Sequence, residues 1–327
     1  MAEFRRLAPG SARPLIACSG GADSCALVLA IASAFPQAVV AHVVHDLRPR
    51  KQALADRDVA KALAASLGLW FVQGKAEVRA AGGNAEGAAR RLRYAALLRL
   101  AREHTCDAVL SAHHADDQLE TMLMALIRGS GPAGLRGVRA RRKLVSGATG
   151  GSSTSAPSIA LIRPMLQTTR ADARALCRQM GVEWAEDATN ADTRRLRAAL
   201  RARVLPILEE LRPGASRRAA RSAALIAVAS DALGRAGAAV LRRAEQSKSS
   251  IAWERSRLRT APAPVVGEAL RLAFGKLARG ESMDDLSGRI IDGAVNAIGD
   301  ARTQPRTFQW PAGIKLSVTA KKVTLSR

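Results

Sequence analysis

A chain of 327 residues can bury a full core and has room for two domains. Its formal charge of +23, from 51 Lys and Arg against 28 Asp and Glu, makes polyanions its natural partners and disfavours basic ligands. Four dispersed cysteines, Cys18, Cys25, Cys106 and Cys177, exclude a disulfide framework and a clustered zinc site, and suit a reducing compartment.

In chain order, "PLIAC", "SGGADS" and "CALVLAIASAF" read as strand, turn and helix, and "AVVAHVVHD" as a second strand. The apolar region from Cys25 to Val44 is broken by Ser33, Pro36, Gln37 and His42, which excludes a membrane span and leaves the cytoplasm as the expected location. A helix over "QALADRDVAKALAASLG" follows, then a strand "WFVQG", a helix "AEGAARRLRYAALLRLAREH", a strand "AVLSAHH" and a helix "ADDQLETMLMALIRG". This alternation predicts an α/β, Rossmann-like fold: a mostly parallel sheet with helices on both faces.

"RRKLV" and "IALIRPM" flank a small, polar stretch at 146–158, expected to be a mobile loop or hairpin tip. A helix is expected over about Arg170 to Met180, and an arginine-rich helix or helix pair interrupted by Pro206 precedes Pro213 and Gly214. Those two residues divide the chain into a catalytic domain, 1–213, and a smaller, mainly helical C-terminal domain, 214–327. Ala215 to Arg243 has helical periodicity, and "FQWPAGIKLSVTAKKVTLSR" ends the chain as a β-hairpin around Gly313.

The opening turn carries the first chemistry. Ser19, Gly20, Gly21 and Ser24 lie where a helix begins, so free backbone N–H groups and the helix dipole can hold a polyphosphate. A Walker-type loop would end in Gly-Lys-Ser/Thr, whereas here Asp23 precedes Ser24. A carboxylate beside phosphates needs a cation between them, so Asp23 implies Mg²⁺ with ATP.

"SAHHADDQLET" places His113, Asp117 and Glu120 on one helical face after a strand, where open sheets bind ligands. Asp117 and Glu120 are suited to Mg²⁺ or a substrate ammonium; a transition-metal site lacks the His-Glu-x-x-His spacing. "NAEGAARRLRY" aligns Glu86, Arg90 and Arg93, and the two arginines can grip a phosphate. His45 and Arg48 end the second strand at the same expected edge. From Thr121 to Ala171 there is no acidic residue but many arginines, the pattern of phosphate contacts to RNA, while 3% aromatic residues argue against serial base stacking.

"SGGADS" resembles the pyrophosphate-loop signature of the ATP pyrophosphatases, which activate a substrate as an adenylate. With "HVVHDLRP", "NAEGAARRLRY", "SAHHADDQLETMLMALIRGSG", "LIRPM" and "EDATNADTRRLRAALRARVLP" in order, the chain is similar to the tRNA(Ile)-lysidine synthetases from about Ile16 to Leu208. It departs from them at Asp46, usually glycine, and at Ala198, usually asparagine after the arginine.

That resemblance implies a ligase that adenylates carbon-2 of the wobble cytidine of isoleucine tRNA and lets L-lysine displace AMP. Under it, Ser19, Gly20, Gly21, Asp23 and Ser24 bind ATP, and Asp23 and Asp117 hold Mg²⁺. Asp23, Asp117, Arg90 and Arg93 serve the chemistry. His45, Arg48, Glu86, His113, Asp117 and Glu120 face the substrates. Isoleucine tRNA with an unmodified wobble cytidine and free L-lysine are the implied partners, with tRNA support from 214–327. No membrane is expected, and a homodimer is compatible with this reading. A tRNA thiolation enzyme of the same class, or a non-enzymatic RNA-binding protein, is the competing reading.

Overall fold

The structure, a computed structural model, describes residues 2–46, 49–77, 85–144, 158–186, 196–278, 286–301 and 304–327, less the side chains of residues 50, 85 and 86. The loop expected at 146–158 lies outside the described residues except for its last position. The first elements are α1 (Ala2–Leu7), β1 (Pro14–Ala17), α2 (Ala22–Ala32), β2 (Val39–His45), α3 (Arg50–Ser66), β3 (Trp70–Ala76), α4 (Ala85–Glu103), β4 (Ala108–Leu110) and α5 (Ala115–Ile127). They continue with α6 (Pro132–Leu135), β5 (Arg141–Lys143), β6 (Ala160–Ile162), α7 (Arg170–Gln179), α8 (Leu196–Ala199), a π-helical stretch (Leu200–Val204) and α9 (Leu205–Leu211).

Six strands form one sheet in the order β3-β2-β1-β4-β6-β5, parallel throughout except for the edge pair β5–β6. Alternation along each short strand divides its apolar residues between two cores. Ile16, Val40, Leu110 and Ile162 pack with α2, α3 and α7, whereas Leu15, Val39, Val109 and Leu161 pack with α4. Helices on both faces satisfy strands that have no polar side, as the expected fold class requires.

Strand β1 lies between β2 and β4, so the chain builds outward to β3 on one side and to β6 on the other. Such a reversal opens a crevice beyond the carboxyl ends of the two central strands. Pairing of β4 stops at Leu110, shorter than the expected "AVLSAHH", and Ser111–His114 become the loop that enters this crevice. Thr169 starts α7 with a complete capping box to Asp172. Pro206 sits in the first turn of α9, where its missing N–H and its ring break the α-helical ladder, and the widened π turn comes immediately before.

The chain divides into two compact units, Met1–Met124 with Gly137–Ala223, and Ala125–Arg136 with Ala224–Arg327. Helix α10 (Ala215–Arg242) contributes to both and begins directly after Gly214, which has φ +83°. The second unit adds β7 (Glu245–Gln246), β8 (Ser250–Glu254), α11 (Arg255–Arg259), α12 (Ala263–Leu277), α13 (Gly288–Gly299), β9 (Arg306–Gln309), β10 (Lys315–Val318) and β11 (Lys322–Ser326). Its strands form an antiparallel sheet, β7-β8-β11-β10-β9, packed on α12 and α13 through Trp253, Phe274, Ile298, Trp310 and Leu316. The terminal hairpin is β10–β11; the turn at Gly313 joins β9 to β10, so three strands stand where alternation suggested two.

Helix α10 has the length and hydropathy to cross a membrane, although Asp231 and Arg235 fall within it. Among the described residues it is the single such helix.

Candidate active site

The turn after β1 is braced from within. Ser24 Oγ donates to the Gly21 carbonyl at 2.8 Å and accepts the Ser19 N–H at 3.0 Å, which draws the turn tightly around the start of α2. Gly20 has φ +86°, and a Cβ there would meet the Asp56 carbonyl of α3 at 2.5 Å. Glycine is therefore demanded by backbone conformation and by α3, while it is Gly21, Ser19 and Ser24 that line the cavity beyond the turn.

That cavity has a volume of about 670 Å³, within the usual range for a cofactor or substrate site. His45, Asp56, Arg93, Tyr94, Ser111, His113 and Asp117 line it, together with Arg170, Arg174, Trp184 and Arg197. Asp23 lines it too, and its Oδ1 is buried with no hydrogen-bond partner. An orphaned carboxylate oxygen at a phosphate-binding turn is the acceptor that a cation would use. No cluster of three or more metal-ligating side chains occurs among the described residues, so an ion here would share its coordination with phosphate oxygens.

His114, unremarked in the sequence beyond being one of two adjacent histidines, is 3% exposed and central. Its ring nitrogens lie 3.4 Å from Asp23, 3.3 Å from Asp116 and 3.5 Å from Asp117. Burial opposes its charge, but Asp116, Asp23 and Asp117 outweigh burial and push the imidazole up to about 10. It is thus an imidazolium at neutral pH, fixing Asp23 of α2 against the start of α5. Asp116 also accepts the Arg170 N–H at 2.9 Å, tying α5 to α7.

A raised pKa in the folded state stabilises below the unfolded value and loses that contribution as pH climbs through the folded value. The ligand-free protein is therefore expected to lose unfolding free energy between about pH 6.5 and about pH 10 relative to His114→Gln. Denaturant melts of both proteins across that window check this, and parallel curves would refute it.

Asp117 is held down at about 2: burial acts to raise it, but the His114 imidazolium and Arg197 prevail, helped by the His114 N–H donating to Oδ2 at 3.0 Å. Its other oxygen accepts from Arg197 at 3.0 Å. Glu120 is fully buried, and both of its oxygens are engaged, by Arg197 Nε at 2.7 Å and Arg201 Nε at 2.6 Å. Glu120 does not line the cavity, so in this state it anchors the π-helical stretch to α5 rather than presenting an oxygen to a ligand. None of Arg170, Arg174, Trp184, Arg197 and Arg201 was among the active-site residues expected from the sequence, yet the first four line the cavity and Arg201 holds Glu120. The four-residue spacing of Arg197 and Arg201 was the available signal.

His113 Nε2 accepts from Arg90 Nη2 at 3.3 Å, which leaves Nδ1–H to donate to Ser111 Oγ at 3.0 Å. Burial, together with Arg163, Arg90 and Arg93 and against Asp117, keeps its imidazole well below its ordinary value and hence neutral. Arg90 acts on the cavity through His113, while Arg93 lines it directly. Arg48 and the side chain of Glu86 lie outside the described residues. All four cysteines are buried and free, and the Cys25 thiol is pushed up by neighbouring Cys18 and by burial.

A family model described as the PP-loop domain matches residues 3–208. The chain belongs to the PP-loop family. The Ser19–Ser24 turn falls within the matched residues and is seated at the point where the strand order reverses. A tRNA(Ile)-lysidine synthase of Thermus thermophilus is 43% identical over 223 residues, covering 67% of this chain and 40% of that one. One from Deinococcus deserti is 35% identical over 309 residues, covering 91% and 54%. The chain thus spans about half the length of these curated relatives. Among solved structures, a U34-tRNA thiolase of Methanococcus maripaludis superposes with a TM-score of 0.51 at 15% identity, over 68% of this chain and 76% of that one, a likeness of fold. Residues 3–208 thus carry a PP-loop domain, and the chain is homologous to the lysidine synthases over most of its own length.

Proposed function

We propose that this PP-loop enzyme ligates L-lysine to carbon-2 of the wobble cytidine of isoleucine tRNA, giving lysidine, AMP and pyrophosphate. The observation that carries this reading is a single cavity holding both the PP-loop and Asp117 with Arg93 and His113. The PP-loop suits a leaving pyrophosphate, and Asp117 suits a nucleophile that arrives as a cationic amine.

In this reading the N–H groups at the start of α2 and the braced Ser19–Ser24 turn hold the pyrophosphate of ATP. Asp23, whose Oδ1 lacks a partner, would hold Mg²⁺ with Asp117 and phosphate oxygens, and the ion would supply neutralisation of the triphosphate. Carbon-2 of cytosine is a poor electrophile. Transfer of adenylate to its oxygen releases pyrophosphate and turns that oxygen into a leaving group. The lysine ε-nitrogen then bonds to carbon-2 as AMP departs, and one proton is lost from the amine.

Arg93, Arg170 and Arg174 line the same cavity and would meet the departing phosphate, and preorganised cations lower the cost of its developing charge. Asp117, held ionised near 2, is a weak base and serves the incoming ammonium as a fixed negative charge. Neutral His113 is a hydrogen-bonding wall beside it. A cytoplasmic location and a supporting role for 214–327 in tRNA binding belong to the same proposal. The buried cysteines, one pushed further toward the thiol, favour ligation over thiolation.

Incubation with ATP, labelled lysine and unmodified isoleucine tRNA is expected to incorporate label and release pyrophosphate. No incorporation into a tRNA of verified sequence, over several salt concentrations, would overturn the reading.

A further inference from the structure

Around Tyr94, at the cavity lining, gathers a cluster of cations two of which, Arg142 and Arg163, lie outside the lining and take no part in the adenylation chemistry. Tyr94, 7% exposed on α4, is surrounded by the guanidinium groups of Arg90 at 5.4 Å, Arg93 at 5.5 Å and Arg142 at 4.8 Å from its ring centre. Arg163, which follows β6 and is 2% exposed, reaches the Tyr94 hydroxyl with Nη2 at 3.5 Å and donates to the Arg139 carbonyl at 2.6 Å. Its Nε is buried without a partner.

Among the described residues, no carboxylate pairs with Arg90, Arg93, Arg142 or Arg163. Facing an aromatic ring offsets part of the cost of assembling like charges. It does not neutralise a buried guanidinium, which calls for an anion. Burial indeed works against the charge of Arg163.

The position of the group narrows the choice of anion. Tyr94 and Arg93 line the cavity, whereas Arg142 and Arg163 do not, so a small acceptor enclosed there meets Tyr94 and not the two arginines beyond it. Strand β6 is two places from β1 in the sheet, about 10 Å at the usual strand spacing, which separates the group from phosphates held by the PP-loop. Arg142 is half-buried on β5, the edge strand, between exposed Arg141 and Lys143 and close to exposed Arg139. A cationic edge leading to an unpaired arginine fits a long polyanion crossing from outside.

We propose that Arg142, backed by the buried charge of Arg163 and by Tyr94, seats a backbone phosphate of RNA at the β5–β6 edge, directing the chain across Tyr94 into the cavity. The inference rests on the reading that RNA is the substrate. Arg142 makes the contact through its planar fork, and Arg163 is a positioning residue that acts through Arg142 and Tyr94.

The test measures binding of an unmodified isoleucine tRNA transcript to the full chain between about 50 and 200 mM salt. Arg142→Gln is expected to weaken binding several-fold and to reduce the slope of log affinity against log salt by about 0.7–0.9, one lost phosphate contact. Arg142→Lys keeps the slope, which separates lost charge from lost fold, and ATP affinity with the unfolding midpoint reports the fold directly. Arg163→Met is expected to weaken RNA binding in the same sense.

An unchanged affinity and slope in Arg142→Gln overturns the seat. So does a loss of labelled-lysine binding with RNA binding intact, which would assign the group to the carboxylate of the amino acid. Arg142-dependent RNA binding by a chain that forms no lysidine would sink the proposed reaction and leave the seat standing. Lysidine formation with unaltered RNA binding in Arg142→Gln would do the reverse.

Discussion

Asp23→Asn is expected to abolish pyrophosphate release, by on the order of 100-fold or more, while leaving most of the affinity for tRNA. The substitution preserves shape and removes a charge at the start of α2. Two consequences follow from the geometry. The oxygen without a partner in the wild type becomes part of a neutral amide, a weaker acceptor for a cation beside the PP-loop. His114 also loses one of its three carboxylates, although Asp116 and Asp117 remain at 3.3 and 3.5 Å. Because two counter-ions persist, the loop is expected to keep its place, and ATP turnover should suffer far more than folding. Pyrophosphate release and tRNA binding measured on the same preparation decide the matter. Comparable loss of both would make Asp23 a folding residue.

Glu120→Gln is expected to act in the opposite way, on stability first. Its carboxylate is fully buried between Arg197 and Arg201, which are about one-third and one-quarter exposed and which also pair with Asp117. Removing one charge from a buried network leaves its partners poorly compensated and costs about 3–5 kcal/mol. In a unit of this size that corresponds to a fall in unfolding midpoint of roughly 10 °C. Thermal unfolding of the ligand-free protein measures it. A double-mutant cycle with Arg201→Gln should show the two losses to be far from additive. If Glu120→Gln instead raises the KM for lysine with an unshifted midpoint, Glu120 is a substrate contact, as the motif alone suggested.

These two carboxylates differ in how much of their setting is local in the chain. Asp23 was accessible from "SGGADS" because a strand, a glycine turn and a helix start are local features, and an acid where a phosphate-binding lysine is usual has one electrostatic meaning. Glu120 shares a helical face with Asp117, and spacing alone therefore grouped them as ligands. Their fates diverge because Arg197 and Arg201 arrive from about eighty residues away, brought in by a helix widened ahead of Pro206. Nothing in local periodicity encodes that arrival.

His114 illustrates the same limit. Beside His113 it looked like an alternative metal ligand, yet one ring is an imidazolium caged by three carboxylates and its neighbour is neutral. Protonation of adjacent identical residues is decided by which charges surround each, and those come from α2, α4, α5 and β6.

By itself the sequence determined the α/β class, the glycine turn between β1 and α2, the excess of positive charge and the approximate span of α7, since each is read from composition or from spacing over a few residues. Tertiary structure alone decided that Gly20 answers to α3, that Glu120 is an anchor, and that Arg142 and Arg163 converge on Tyr94. The physical reason is that burial and charge pairing are sums over neighbours, and in a sheet ordered β3-β2-β1-β4-β6-β5 the neighbours at the site come from distant parts of the chain.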